Sequence, residues 1–286
     1  MSKTRTGWEL QERNFTAVLL AVPFVALIVV FVLPVLVIFA MSFSDGTGFS
    51  TVPYQKLFQP VYFRLLWFTF KLSLFVTVAC VVIAYPVAFL LAHMKSTVNG
   101  LLAVALLVSL WLSFLARTFA WIIILQRNGI VNNVLVSTGI VSEPVNLIYN
   151  HTGVYIGMTH VMLPLMIITL IPALKAIDLD YIRAAMSMGC SPWQAWRRVY
   201  LPLSMPGVVA GSMLVFTLSF GFFITPSVLG GGRVPTIILA IRDQIQVLAD
   251  MNLASATSVL ILIVCLAILV IYDRLVGVDK MFHRGS

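Results

Sequence analysis

The chain has 286 residues, 60% of them hydrophobic and only 10% charged, with a formal net charge of +8. A water-soluble domain of this length carries about 25% charged residues, so most of this surface is solvated by lipid. The basic residues sit in short loops rather than in a stripe with interleaved aromatics, which excludes nucleic acid as a partner. Cys80, Cys190 and Cys265 have no metal-ligand spacing and read as small apolar residues.

In chain order, residues 1–14 form a polar, basic N-terminal segment. The apolar run 15–43 is too long for a signal-peptide core and lacks a small-x-small cleavage site, so it is expected to persist as a first membrane helix, bent at Pro23 and Pro34. Residues 44–64 read as an external loop with a short interfacial helix. Residues 72–93 make a second span, with Lys71 able to reach the outer interface. A turn carrying Lys95 leads to a third span at 100–125 and an external segment at 126–150. The fourth span covers 151–174, the fifth 201–225 and the sixth 253–272, with an external segment at 226–252 and a polar tail at 276–286. Residues 15–275 are thus expected to form a single six-helix membrane domain. Lys and Arg concentrate on the side of the termini (Lys3, Arg5, Arg13, Lys95, Lys175, Arg183, Arg197, Arg198, Arg274, Lys280, Arg284) over the other (Lys56, Arg64, Arg127, Arg233, Arg242). That excess places both termini in the cytosol.

The longest polar interruption is the cytosolic loop 178–200, running on to Gly207. Its signals describe two short helices. Asp178 or Asp180 caps the first and Gly189 stops it; Ser191 caps the second, with Pro192 at the first position, where its missing N–H costs nothing. Ala184 and Ala185 leave one side of the first helix with almost no side chain.

Arg183-Ala184-Ala185, then Gly189, Leu201-Pro202 and Pro206-Gly207, resemble the EAA loop of bacterial ABC importer permeases. The glutamate that names the motif is replaced by Arg183. The resemblance covers about residues 17–272 and is strongest to the polyamine/opine/phosphonate branch, above all to its spermidine/putrescine permeases. It implies an all-α, six-span type I importer permease in the bacterial cytoplasmic (inner) membrane. Residues Arg183, Ala184, Ala185, Gly189, Leu201 and Pro202 would then dock on an ATPase subunit dimer. It also implies a homologous second permease, a periplasmic solute-binding protein, and ATP with Mg held on the ATPase, none on this chain. A polyamine such as spermidine or putrescine is the expected cargo; an opine, amino-acid derivative or phosphonate is the alternative. A stand-alone channel or ion-coupled carrier is the rival from another class.

No catalytic pattern competes. Gly230-Gly231-Gly232-Arg233 lacks the Gly-Lys-Ser/Thr of a phosphate loop and falls on the outer side, so it reads as a turn. There is no Gly-x-Ser-Gly run, no His-Glu-x-x-His and no pair of membrane carboxylates. Candidates for the translocation path are Tyr85, Arg117, His160 and Phe222. Arg117 in the third span either reaches the outer headgroups or faces a water-filled path. His160 is either a packing residue or a path residue, Tyr85-Pro86 marks a bend, and Phe222 is either packing or path. Arg127, Asn128 and Asn132 resemble the family's Gly-x-x-Asn outer-loop stretch, and residues 235–247 its last external helix. With Arg233 they are the candidates for docking the binding protein.

Overall fold

The computed structural model describes residues 19–276 apart from Val22, Thr47 and residues 94–96. The N-terminal segment 1–14, the turn with Lys95, and the tail beyond Val276 with Lys280 and Arg284 lie outside the described residues. The elements are α1 (Leu19–Ser42), α2 (Val52–Leu57), α3 (Pro60–His93), α4 (Thr97–Trp111), α5 (Phe114–Leu125) and α6 (Ile130–Ser137). They continue with α7 (His151–Lys175), α8 (Asp180–Ser187), α9 (Pro192–Phe220), α10 (Ile224–Gly230), α11 (Ile237–Gln246) and α12 (Met251–Val276). Among the described residues the β pairing is an isolated Ser44–Phe49 bridge. Among the described residues, six helical stretches are long and apolar enough to cross a bilayer: α1, α3, Phe114–Ser137, α7, α9 and Met251–Tyr272 within α12.

The third span differs from its expected form. Residues 100–125 do not make one helix: α4 ends at Trp111 and α5 starts afresh after Ser113, whose backbone is extended (φ −54°, ψ 141°). The Ser113 hydroxyl accepts from the Leu115 N–H at 3.2 Å, a local bond that competes with helix continuation. A short gap at 126–129 then separates α5 from α6.

The chain divides into two compact units. The larger comprises residues 60–240 with 264–286. In it, α3 and α7 form the central pair, and α9 packs on both. The buried stripe on α3 (Leu72, Val76, Cys80, Ala84, Ala88) and that on α7 (Val154, Met158, Met162, Met166, Leu170, Leu174) both recur every four residues. Ridges at that spacing fit one another's grooves, and the small residues of α3 let the backbones come close. Gly207 on α9 is a second close approach, because a Cβ there would run into Ala173 of α7. Buried hydroxyls on α3 are satisfied by their own helix: Thr69, Ser73 and Thr77 each donate to the carbonyl four residues back, at 2.7–2.9 Å. The faces turned away carry Leu74, Phe75, Val78, Val82 and Ile83, exposed apolar side chains suited to lipid.

The smaller unit comprises residues 1–59 with 241–263. Here α1 exposes its apolar side chains along its length, and Ser42 at its end is buried. At that end Phe39 of α1 clusters with Phe43, Phe49 and Tyr54, with Tyr54 OH and the Ser42 hydroxyl 2.8 Å apart. Lys56 pairs with Asp250 at 3.0 Å. Asp250 also caps α12, accepting from the Leu253 N–H at 2.9 Å.

Candidate functional site

The loop singled out in the sequence folds as a helical hairpin that makes its own caps. Asp178 Oδ1 accepts from the Asp180 N–H at 2.9 Å at the entry to α8. The exit is a paired-bond stop: Gly189 N–H donates to Met186 O at 3.0 Å and Cys190 N–H to Ala185 O at 3.1 Å. Gly189 sits at φ +92°, a conformation that side-chained residues resist. The second arm opens on a reciprocal box, Gln194 N–H donating to the Ser191 hydroxyl at 3.3 Å and Ser191 N–H to Gln194 Oε1 at 3.1 Å, with Pro192 following the cap.

Two expectations need correcting. The two alanines do not share an open side: Ala184 is exposed, whereas Ala185, about 100° further round, is buried. The second arm and the fifth span are also not separate. They form one continuous helix, α9, through a π turn at Trp196–Tyr200 in which Leu201 N–H donates to Trp196 O. Pro202 explains the widening. It offers no N–H to the carbonyl of Arg198 and its ring crowds that carbonyl, so a regular α turn could not run through it without strain.

The base of the hairpin is tied into the membrane core. Tyr200 is fully buried, its hydroxyl 2.7 Å from His93 Nε2 and its ring edge-on to Phe89. Tyr85 shares a 2.8 Å hydrogen bond with Ser204 and meets Trp196 edge-on at 6.2 Å. Trp196 stacks in turn on Trp193 at 5.0 Å. Tyr85, a path candidate from sequence, thus belongs to the hairpin's anchorage, while Leu201, half-buried, and Pro202, exposed, follow directly on the π turn. The tip is apolar: Met188 is 80% exposed and Trp193 65%, with Tyr181 beside them in exposure. Sequence reading passed over Met188 and Trp193, although large apolar residues in a polar loop were the available signal. Arg183 pairs with Asp180 at 2.6 Å, both well exposed, so the pair contributes little stability.

The other path candidates gather elsewhere in the larger unit. Arg117 is only 6% exposed. It turns inward rather than to headgroups: Nη1 donates to Val161 O at 3.2 Å, and the guanidinium lies 4.9 Å from the Phe114 ring. Phe114 meets Phe222 edge-on at 5.6 Å, and His160 meets Trp121 at 5.4 Å. Thr118 and Thr225 hydroxyls, 3.2 Å apart, join α5 to α10. Arg117, His160 and Phe222 therefore fall around the meeting of α5, α7 and α10. No Asp or Glu lies in any of the six span segments.

Of the outer candidates, Arg127, Asn128 and Arg233 are exposed, Arg233 beside a glycine turn with Gly231 and Gly232 at positive φ. Asn132 is instead a fastener. It is fully buried, its amide donating to Gln126 O and Val145 O at 3.1 and 3.0 Å and accepting from Val145 N–H at 2.8 Å.

The profile of the family described as "Binding-protein-dependent transport system inner membrane component" matches residues 12–278. The spermidine/putrescine transport system permease protein PotB of Haemophilus influenzae is 30% identical over 280 residues, covering 96% of this chain and 97% of that one. PotB of Escherichia coli is 32% identical over 261 residues, covering 88% and 95%. Among solved structures, a bacterial ABC transporter involved in the import of the acidic polysaccharide alginate superposes with a TM-score of 0.76 at 17% identity, covering 94% of this chain and 97% of that one. The inward-facing MetNI methionine ABC transporter gives a TM-score of 0.58 at 20% identity, over 77% and 97%. At such identities these structures speak for the fold alone.

Proposed function

The chain belongs to the family of binding-protein-dependent transport system inner membrane components, and from that membership we propose that it forms, with a second homologous permease, the path for a polyamine such as spermidine or putrescine. It is a multi-pass inner-membrane permease subunit of an ABC importer and does no chemistry itself. ATP and Mg belong to a separate ATPase pair. The observation that carries the cargo reading is the likeness, at 30–32% identity over most of the chain, to spermidine/putrescine permeases.

In this reading both termini and the hairpin face the cytosol. Met188 and Trp193 at the tip enter a groove on the ATPase, beside Arg183 and Ala184. Closure of the ATPase pair moves the hairpin, and because its second arm is α9 itself, the displacement passes directly into a span helix. A periplasmic binding protein delivers cargo at the outer face, where Arg127, Asn128 and Arg233 are exposed. The second reading keeps the architecture and changes the cargo to an opine, amino-acid derivative or phosphonate; the absence of any span carboxylate and the buried Arg117 favour it.

Reconstituting the chain with its partner permease, ATPase and binding protein in liposomes tests both readings. Labelled spermidine or putrescine is expected to accumulate only when all subunits and ATP are present. Uptake by this chain alone would mean a carrier instead, and uptake of a carboxylated or phosphonate solute in preference to polyamine would select the second cargo. Ala184→Trp, at an exposed site, is expected to cut ATP-driven uptake at least about tenfold while the protein still reaches the membrane.

A further inference from the structure

A groove of about 460 Å³ runs between α3, α9 and α12 and shares no residue with the path candidates. Its α3 wall extends from Phe70 to Val82, which at 1.5 Å per residue is about 18 Å. That is close to the hydrocarbon depth of one leaflet, about 15 Å. Hydroxyls in the lining are directed to backbone carbonyls: Thr77 donates to Ser73 O at 2.7 Å and Thr217 to Met213 O at 2.8 Å, while Tyr272 donates to Val209 O and ties α12 to α9. The walls therefore present hydrocarbon, from Leu74, Val78 and Val82 on α3, Met213 on α9 and Leu269 on α12. Such a cleft gives a polar solute no partner, and gives a hydrocarbon chain dispersion contacts with three helices at once.

The second feature lies in line with that wall. Arg64, Trp67, Lys71, Leu74, Val78 and Val82 follow one another at spacings of three or four residues and are all exposed, so they form one stripe along α3. Near Phe70, which meets Phe216 edge-on at 5.6 Å, the stripe changes from aliphatic to basic and aromatic. Trp67 stacks on Phe70 at 5.7 Å, and Lys71 Nζ lies 5.8 Å from the Trp67 ring, one turn back towards the start of α3. Among the described residues neither Arg64 nor Lys71 enters an ion pair, and α3 and α9 contain no Asp or Glu. Two unneutralised cations and a tryptophan at the mouth of an apolar cleft match a phosphate joined to an acyl chain.

We infer that the groove holds one acyl chain of an anionic phospholipid, with its phosphate drawn to Lys71 and Arg64. With the termini cytosolic, as in the proposed function, this lipid belongs to the outer leaflet. The site is independent of the cargo, and it lies against α9, the helix that continues into the hairpin.

The test uses the complete importer in phosphatidylcholine nanodiscs with a trace of phosphatidylglycerol carrying a diazirine on one acyl chain. Irradiation is expected to label the groove peptides of α3, α9 and α12 at least about fivefold more than the same diazirine on phosphatidylcholine does, the preference that one basic residue near the surface confers. Peptides of α1, whose apolar side chains are exposed along its length, give the reference for unselective lipid and should label equally with both probes. Lys71→Gln combined with Arg64→Gln, both at exposed sites, should bring groove labelling by phosphatidylglycerol down to the phosphatidylcholine level, whereas Lys71→Arg should keep it within about twofold of the unaltered protein. Val78→Trp, which fills the cleft, should lower groove labelling with both probes and leave α1 unchanged. Equal groove labelling by the two probes in the unaltered importer would mean ordinary solvating lipid and overturns the inference, as does selectivity that survives the double Gln variant. Groove peptides that take no label from either probe would mean that protein covers the cleft, and overturn it as well.

Discussion

Two π turns in this molecule have the same local build and different surroundings. In α1 the turn Ile28–Val32 is followed by Leu33-Pro34; in α9 the turn Trp196–Tyr200 is followed by Leu201-Pro202. In both, the leucine N–H donates to the first carbonyl of the turn, five residues back, immediately ahead of a proline that can donate nothing. Yet the first turn buries no side chain, whereas the second buries Tyr200 completely. Leu-Pro in an apolar helix is thus accommodated by widening the turn before it. Whether that wide turn becomes a joint depends on what packs against it.

The largest effect should come from removing that packing. Tyr200→Ala leaves a cavity and strips His93 of its hydroxyl partner, and a loss of about 3 kcal/mol or more is expected in thermal or denaturant unfolding. Val30→Ala, at an exposed position of the first turn, should change stability by less than about 0.5 kcal/mol. Similar losses from both would erase the contrast. An intermediate effect should separate the prolines. Pro202→Ala restores an N–H and lets the turn tighten to α, so uptake per ATP should drop several-fold with protein levels intact. Pro34→Ala should leave that ratio within about twofold. Loss of coupling from Pro34→Ala alone would reverse the assignment of the two turns.

The smallest effect belongs to the unit that holds the first turn. The Leu253 N–H, followed by the Lys56 ammonium, holds the Asp250 carboxyl below the usual carboxylate range. A lowered folded-state value means that its stabilisation is present above about pH 4, the unfolded reference, and is lost as pH falls through the lower folded value. Asp250→Asn should flatten the acid limb of the stability profile slightly and leave stability near pH 7 reduced by no more than about 1 kcal/mol. An unchanged acid limb would show that the carboxylate's contacts are immaterial to folding.

Much of the fold was legible because hydropathy and capping act locally. Runs of apolar residues located the spans, and Gly189, Ser191 and Pro192 marked the hairpin because each satisfies or avoids a specific backbone N–H. The break at Ser113 was not legible: one hydroxyl bonding its own backbone leaves no trace in an average over twenty apolar residues. Nor was the continuity of α9, since a Pro reads as a boundary unless the preceding turn can widen. Asn132 looked like an exposed loop residue until its amide was seen to bridge Gln126 and Val145. Ala185 could not be told from Ala184 without knowing which side of α8 the second arm covers. The candidate path residues were the least legible, because their identities fit packing and transit alike and only their neighbours separate the two.

The hairpin closes its own hydrogen bonds at entry, tip and second arm, so beyond its anchored base its shape owes little to whatever surrounds it. Such a piece is portable. The spans beneath can exchange side chains to suit a new solute, and the piece above can be grafted from one chain to another, without either side having to relearn how to fit the joint.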